Sequence, residues 1–141
     1  MIYLVIILVV GLLLFMVVSS GGKSSPSKTG RTQKRVDKAE IARRWKTIQM
    51  VSKTGASGLR NSVMEADKLL DHVMKQMGYP GDTMAERMKI AGREFTDRDG
   101  VWRAHKLRNA MAHEIEFDLV SSQAHEAIRE FERALKDLKA L

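Results

Sequence analysis

The sequence predicts an all-α chain, and two observations lead to that prediction. Apolar residues recur at spacings of three and four in four separate segments, which is the period of one face of an α-helix. Apolar and polar residues do not alternate over any window of strand length. At 141 residues with an apolar N-terminal stretch, the chain has room for one compact domain of roughly 100 residues. We therefore expect an antiparallel bundle of four main helices and one short helix.

The first 18 residues form an apolar stretch without a charged side chain. A helix of that length spans about 27 Å, close to the hydrocarbon thickness of a bilayer, so residues 1–18 are predicted to be a transmembrane anchor. A cleaved signal peptide is the alternative, although it normally begins with positive residues and here the first is Lys23. Because the positive charge follows the apolar stretch, the positive-inside rule predicts a single-pass protein with its C-terminal domain in the cytoplasm.

Residues 19–35 are rich in Ser, Gly and Lys and predict a flexible basic tether whose charges lie on anionic lipid headgroups. Residues 23–46 hold nine Lys and Arg against two Asp and Glu, whereas residues 47–141 hold fifteen of each sign. The net charge of +7 therefore belongs to the tether and its surroundings, and RNA binding by the domain would need a local basic patch. The absence of cysteine excludes disulfides, thiolate metal sites and cysteine nucleophiles.

The domain is predicted to occupy residues 36–141, and its first two helices have clear apolar stripes. The first helix, expected to end at Gly55 and Gly58, has apolar positions Val36, Ile41, Trp45, Ile48 and Val51. The second helix shows 4-3-4-3-4 spacing over Leu59, Val63, Ala66, Leu70, Val73 and Met77.

The remaining helices follow turn and capping signals. After a turn at residues 78–81, Thr83 and Glu86 match a capping box that opens a short helix to about Ala91. Residues 97–100 are predicted to be a loop and cap before a fourth helix, and Ser121 or Ser122 is expected to cap the last one. The apolar positions of these two helices are Val101, Ala104, Leu107, Ala110 and Met111, then Ala124, Ile128, Phe131, Leu135 and Leu138.

The fourth helix carries the candidate site residues His105, Arg108, Asn109 and His113. His105, Asn109 and His113 lie at i, i+4 and i+8 on one line of the helix, with Arg108 beside them. Imidazole can transfer protons near neutral pH, and a guanidinium can hold a phosphate. An ordinary solvated face is the alternative. A metal site is disfavoured because the two histidines lack the close spacing of zinc-binding helices, and no cofactor is predicted.

The segment Leu107-Arg108-Asn109-Ala-Met-Ala-His113 resembles the signature of the higher-eukaryote-and-prokaryote nucleotide-binding (HEPN) domains. These are small all-α bundles, and many are metal-independent endoribonucleases whose motif is an Arg, usually a polar residue next, and a His after a short spacer. The resemblance implies that Arg108 holds the phosphate, that His113 takes or gives a proton, and that Asn109 orients the substrate or His113. His105 is a plausible second acid or base.

Arg108 and His113 are five residues apart, which places them about 140° apart around the helix. Because they do not naturally converge on one phosphate, we expect the Arg side chain to bend round or a second copy to complete the site. A homodimer with its histidine helices facing across a twofold axis is therefore predicted. The alternative function is a non-catalytic, membrane-tethered binding or scaffold domain that recruits a cytoplasmic protein or RNA.

Overall fold

The computed structural model describes residues 36–114 and 117–141, and folds them into five α-helices and no strand. The helices are α1 (Lys38–Val51), α2 (Ala56–Gln76), α3 (Met84–Ala91), α4 (Arg98–His113) and α5 (Ser121–Asp137). The all-α prediction, with four main helices and one short one, is confirmed for this part of the chain. The predicted anchor and tether lie outside the described residues. Within the described residues, no helix combines the length and apolar character needed to cross a bilayer.

α2 is the central helix of the domain. It spans 21 residues and packs against each of the other four helices, whereas α1 packs on α2 and on no other helix of the described part. Because α2 has neighbours on several sides, its buried arc is wider than the single stripe that the spacing predicts. Leu69 and Met74 are fully buried beside the predicted Leu70 and Val73. Burying a side chain of that size contributes about 1.5–3 kcal/mol.

The predicted stripes of the other helices supply most of the remaining core. Trp45 of α1, Phe131 of α5 and Phe95 are its buried aromatic side chains in the described part of the chain. The core positions on α1, α3, α4 and α5 include Ile41, Trp45, Ile48, Met88, Ala91, Val101, Ala104, Met111, Ala124, Ile128, Phe131 and Leu135. Leu107 and Ala110, predicted on the same apolar arc of α4, are only half-buried.

The helix starts follow the capping signals in two cases and depart from them in one. The Thr83–Glu86 capping box is present at α3, and the Asp97 carboxylate accepts from the Gly100 backbone N–H at the start of α4. Residues 98–100, predicted to be loop, lie in the first turn of α4. The prediction that Ser121 or Ser122 caps α5 is wrong, because both serines lie inside its first turn. The buried Ala124 donates its backbone N–H to the carbonyl of Val120, which makes Val120 the residue before the helix.

Gly58 does not end the first helix, as the sequence suggested, but lies in the first turn of α2. A Cβ atom at Gly58 would collide with the side-chain oxygen of Thr54 and the carbonyl of Val51. Glycine is therefore required here because the end of α1 approaches the start of α2 very closely.

The turn between α2 and α3 is held by the buried Arg87. Its Nε donates to Oδ1 of Asp71 at 2.8 Å, and its Nη1 donates to the carbonyl of Gly81. Lys75 Nζ lies 2.7 Å from the other oxygen of Asp71. Burial alone would raise the pKa of Asp71, but the hydrogen bonds from Arg87 and Lys75 outweigh it and hold the pKa below its ordinary value.

Asp71→Asn should reduce the acid sensitivity of the fold. Because the pKa of Asp71 is lower in the folded chain, its stabilisation is complete above the unfolded value of about 3.9 and is lost as the pH falls through the folded value. We expect urea unfolding of residues 33–141, whose described part forms one compact unit, to show a smaller fall in stability below about pH 4 for the variant. The exposed Asp82→Asn is the control, and equal pH dependence in both variants would contradict the expectation.

Lys139→Gly should stabilise the domain. Lys139 has φ 57°, and its backbone N–H donates to the carbonyl of Lys136 in the turn that ends α5. This left-handed conformation strains a residue with a Cβ, so glycine should raise the free energy of unfolding by about 0.5–1 kcal/mol. Urea unfolding of the same fragment measures the change. Lys136→Gly, inside α5, should instead lower stability by about 1 kcal/mol.

Candidate functional site

The candidate site is built where the middle of α4 packs against the middle of α2. His105, Arg108 and Asn109 come from α4, as predicted, and Asp67 comes from α2. Asp67 is 3% exposed and was missed by the motif analysis. A signal for it exists in the sequence, because Val63, Asp67 and Leu70 share helical spacing and place a carboxylate on an apolar stripe.

The four side chains form a closed ring of polar contacts, which we call the Asp67 cluster. Asp67 Oδ1 lies 2.7 Å from Nδ1 of His105, and Oδ2 lies 3.2 Å from Nε of Arg108. The other ring nitrogen of His105, Nε2, lies 3.2 Å from Nδ2 of Asn109. Arg108 closes the ring, because its Nη1 donates to Oδ1 of Asn109 at 3.1 Å.

These contacts define which atom carries each proton. The carboxylate of Asp67 only accepts, so the Nδ1 of His105 is the donor in that bond. Arg108 donates to the amide oxygen of Asn109, which turns the amide nitrogen toward His105. The Nε2 of His105 therefore faces the amide N–H group of Asn109 and accepts from it.

His105 does not belong to a solvated face, which was the alternative interpretation of this helix. Its residue exposure is 8%, and the ring of Trp102 packs edge-on against it with centroids 6.2 Å apart. Both of its ring nitrogens are bonded within the Asp67 cluster. We infer that His105 orients Asn109 and Asp67, since neither nitrogen is free to meet a substrate.

Arg108 contacts Asn109 on its own helix and Asp67 on α2. Its Nη1 bonds to Asn109, and its Nε pairs with Asp67 by charge at 3.2 Å, outside the geometry of a directed hydrogen bond. The side chain remains about one-quarter exposed, at 23%. The guanidinium therefore lies between Asn109 of its own helix and Asp67 of α2.

His113 is separate from the Asp67 cluster. It is exposed in the last turn of α4, one turn beyond Asn109. The end of this helix is attached to α2 by Arg60, whose Nη2 donates to the carbonyl of Met111. The structure therefore brings together the side chains of His105, Arg108 and Asn109. His113 lies further along the same line of α4 and is exposed to solvent.

A groove of about 380 Å³ runs between α4 and α5, on the other side of α4 from the cluster. Small apolar side chains form its floor, among them Ala104, Ala110 and Ala127. Arg103 and Lys106 line the α4 side, and Glu126 and Glu130 line the α5 side. The groove contains none of the four predicted site residues. Within the described residues, no cluster of three or more His, Cys, Asp or Glu side chains is arranged to hold a metal ion.

Asp67→Asn should destabilise the domain strongly. The substitution removes a buried charge and leaves Arg108 beside a neutral amide, so we expect a loss of about 3 kcal/mol in the free energy of unfolding. Urea unfolding of residues 33–141 measures it. Glu65→Gln is the control on the same helix, because Glu65 pairs with Lys68 at the surface and should cost under about 0.5 kcal/mol. Equal losses in the two variants would contradict a structural role for the cluster.

The residues of the HEPN-like segment lie in different environments. Arg108 and Asn109 are in contact, and His113 is exposed one turn further along α4. Comparison of the chain with protein-family models, with curated proteins and with solved structures gives no match. Membership of the HEPN family stays a prediction from the motif.

Proposed function

We propose that this chain is a HEPN-like antiparallel bundle held at a membrane by residues 1–18 and the basic tether 19–35, with its domain in the cytoplasm. We propose further that the domain is a metal-independent endoribonuclease in which Arg108 and His113 act on the substrate. The supporting observations are that His113 is exposed one turn beyond Asn109 and that the guanidinium of Arg108 is held in place by Asp67 and Asn109. Such fixed positioning is what a phosphate-binding group needs.

The chemistry requires one group that moves protons and one that stabilises charge. In RNA cleavage the 2′-hydroxyl attacks the adjacent phosphorus, the bond to the 5′-oxygen breaks, and the products carry a 2′,3′-cyclic phosphate and a 5′-hydroxyl. His113 would take the proton of the 2′-hydroxyl or give one to the departing oxygen. Arg108 would hold the phosphate oxygens through N–H groups not used by Asn109. His105 acts in this proposal as a positioning residue for Asn109.

A homodimer would complete the site, because one chain offers a single exposed histidine on this line. Packing α4 against its copy across a twofold axis would bring a second His113 toward Arg108. One histidine could then accept a proton while the other donates one.

The decisive experiment is RNA cleavage by the full chain in detergent micelles with EDTA present. We expect cleavage that leaves 2′,3′-cyclic phosphate ends and falls at least about 100-fold in His113→Ala. His125→Ala is the matched control, since His125 is an exposed histidine on α5, and it should retain full activity. Equal cleavage by the His113→Ala variant and the unsubstituted chain would contradict the proposed role of His113.

A non-catalytic scaffold is the second candidate, and two observations favour it. The charge of Arg108 is already matched by Asp67, and the groove between α4 and α5 has an apolar floor between basic and acidic rims. A scaffold should retain its protein partner when Arg108 and His113 are replaced, whereas the enzyme loses cleavage. A folded chain that cleaves no RNA in the assay above favours the scaffold.

A further inference from the structure

We propose that the outward face of α1, defined by Arg43, Lys46 and Met50, docks on the anionic headgroups of the membrane that holds the chain. The inference rests on the proposed membrane location and is independent of the proposed nuclease activity. It assigns a second contact with the bilayer, made by the folded domain itself in addition to the anchor and tether.

The outward face of α1 is uncovered by the described residues. Ile41, Trp45 and Ile48 form the buried side of the helix, and α2 is the only described helix against which α1 packs. Arg43 and Lys46 project from the opposite side and are exposed. Met50 is 54% exposed, which makes it one of two exposed large hydrophobic residues in the described part.

Positive charge is concentrated on α1 and its ends. Residues 37–53 contain five Lys and Arg against two Asp and Glu, whereas residues 54–141 contain fourteen against fifteen. Within the described residues, ion pairs occupy many basic side chains of the other helices, including Lys68, Lys75, Arg87, Arg103, Arg108, Arg133 and Lys136. None of the five cations of residues 37–53 takes part in such a pair. Their charge is therefore free to meet an external anionic surface.

Position in the chain favours lipid as that surface. The predicted tether of 17 residues between the anchor and the domain carries five Lys and Arg and no acidic residue. In the sequence it leads into α1, so a bilayer held by residues 1–18 would be present at high effective concentration for this helix. Each basic residue near an anionic leaflet strengthens attachment roughly fivefold.

RNA fits the outward face of α1 less well. Non-specific binding of single strands combines basic side chains with exposed aromatic rings on which bases stack. The aromatic residue of α1 is Trp45, and it is 4% exposed in the core. The face also offers Met50 alone as a large exposed apolar side chain, so contact with lipid would be electrostatic adhesion at the headgroups and not insertion.

The lack of cysteine allows a direct test on the full chain. Thr47→Cys places one fluorophore on α1, and Ser122→Cys places one at the exposed start of α5. Each labelled chain is reconstituted into phosphatidylcholine vesicles with or without about one-third phosphatidylserine, with a headgroup-linked nitroxide quencher present. We expect phosphatidylserine to increase quenching at position 47 and to leave position 122 largely unchanged, with the effect lost at high salt.

Charge removal tests which cations are responsible. Arg43→Gln/Lys46→Gln should lower the ratio of docked to undocked chains about 25-fold. Lys68→Gln/Lys136→Gln is the control with the same change of charge on exposed positions of α2 and α5, and it should dock like the unsubstituted chain. Retained docking in the Arg43→Gln/Lys46→Gln variant would overturn the proposal.

Failure of the anchor or of the nuclease can be distinguished from failure of α1 to dock. Flotation with phosphatidylcholine vesicles reports the anchor, and RNA cleavage in detergent reports the nuclease, so neither failure can be mistaken for failure of α1. Quenching at position 47 that is independent of phosphatidylserine overturns the docking proposal. The proposal is also overturned if the label at position 47 is never quenched and the Arg43→Gln/Lys46→Gln substitutions abolish retention of RNA by the chain. The outward face of α1 would then bind RNA.

Discussion

The buried carboxylate of Asp67 is the constraint around which the domain is organised. Removing a carboxylate from water costs several kcal/mol unless donors replace the lost hydration. Its two partners, the hydrogen-bond donor His105 and the charge partner Arg108, both come from α4 and lie three residues apart on it. A rotation or shift of α4 along α2 would leave the charge without them. Because α2 also packs against every other helix, the pairing fixes α4 relative to the whole core.

Local patterns in the sequence were sufficient for the helices and for two of their starts. The 4-3-4-3-4 spacing of α2 and the Thr83–Glu86 capping box depend only on residues within about one or two turns of each other. The position of Gly58 within α2 and the first residue of α5 could not be predicted from such local patterns. The close approach at Gly58 involves the end of the preceding helix, and the start of α5 depends on where Ala124 enters the core.

The same distinction between local and long-range contacts applies to the candidate site. Helical spacing placed His105, Asn109 and His113 on one line, but it could not assign their environments. His105 is buried because Asp67 lies opposite it on α2, at a separation of 38 residues in the chain. His113 is exposed because the packing of α4 ends near Met111, after which its side chains face solvent. The partner of a polar side chain across a helix interface is not encoded in the period of either helix.

The hydrogen bond from Arg60 to the carbonyl of Met111 divides α4 into two parts with different local stability. Amides before it belong to a helix that opens only when packing against α2 is lost, whereas the turn after it can fray at little free-energy cost. His113 lies in that outer turn and is exposed, whereas the residues of the Asp67 cluster on α4 precede the contact. A ligand that binds His113 must therefore offset the entropy lost when this turn is ordered. Its affinity then depends on the hydrogen bond between Arg60 and Met111, which the ligand itself does not contact.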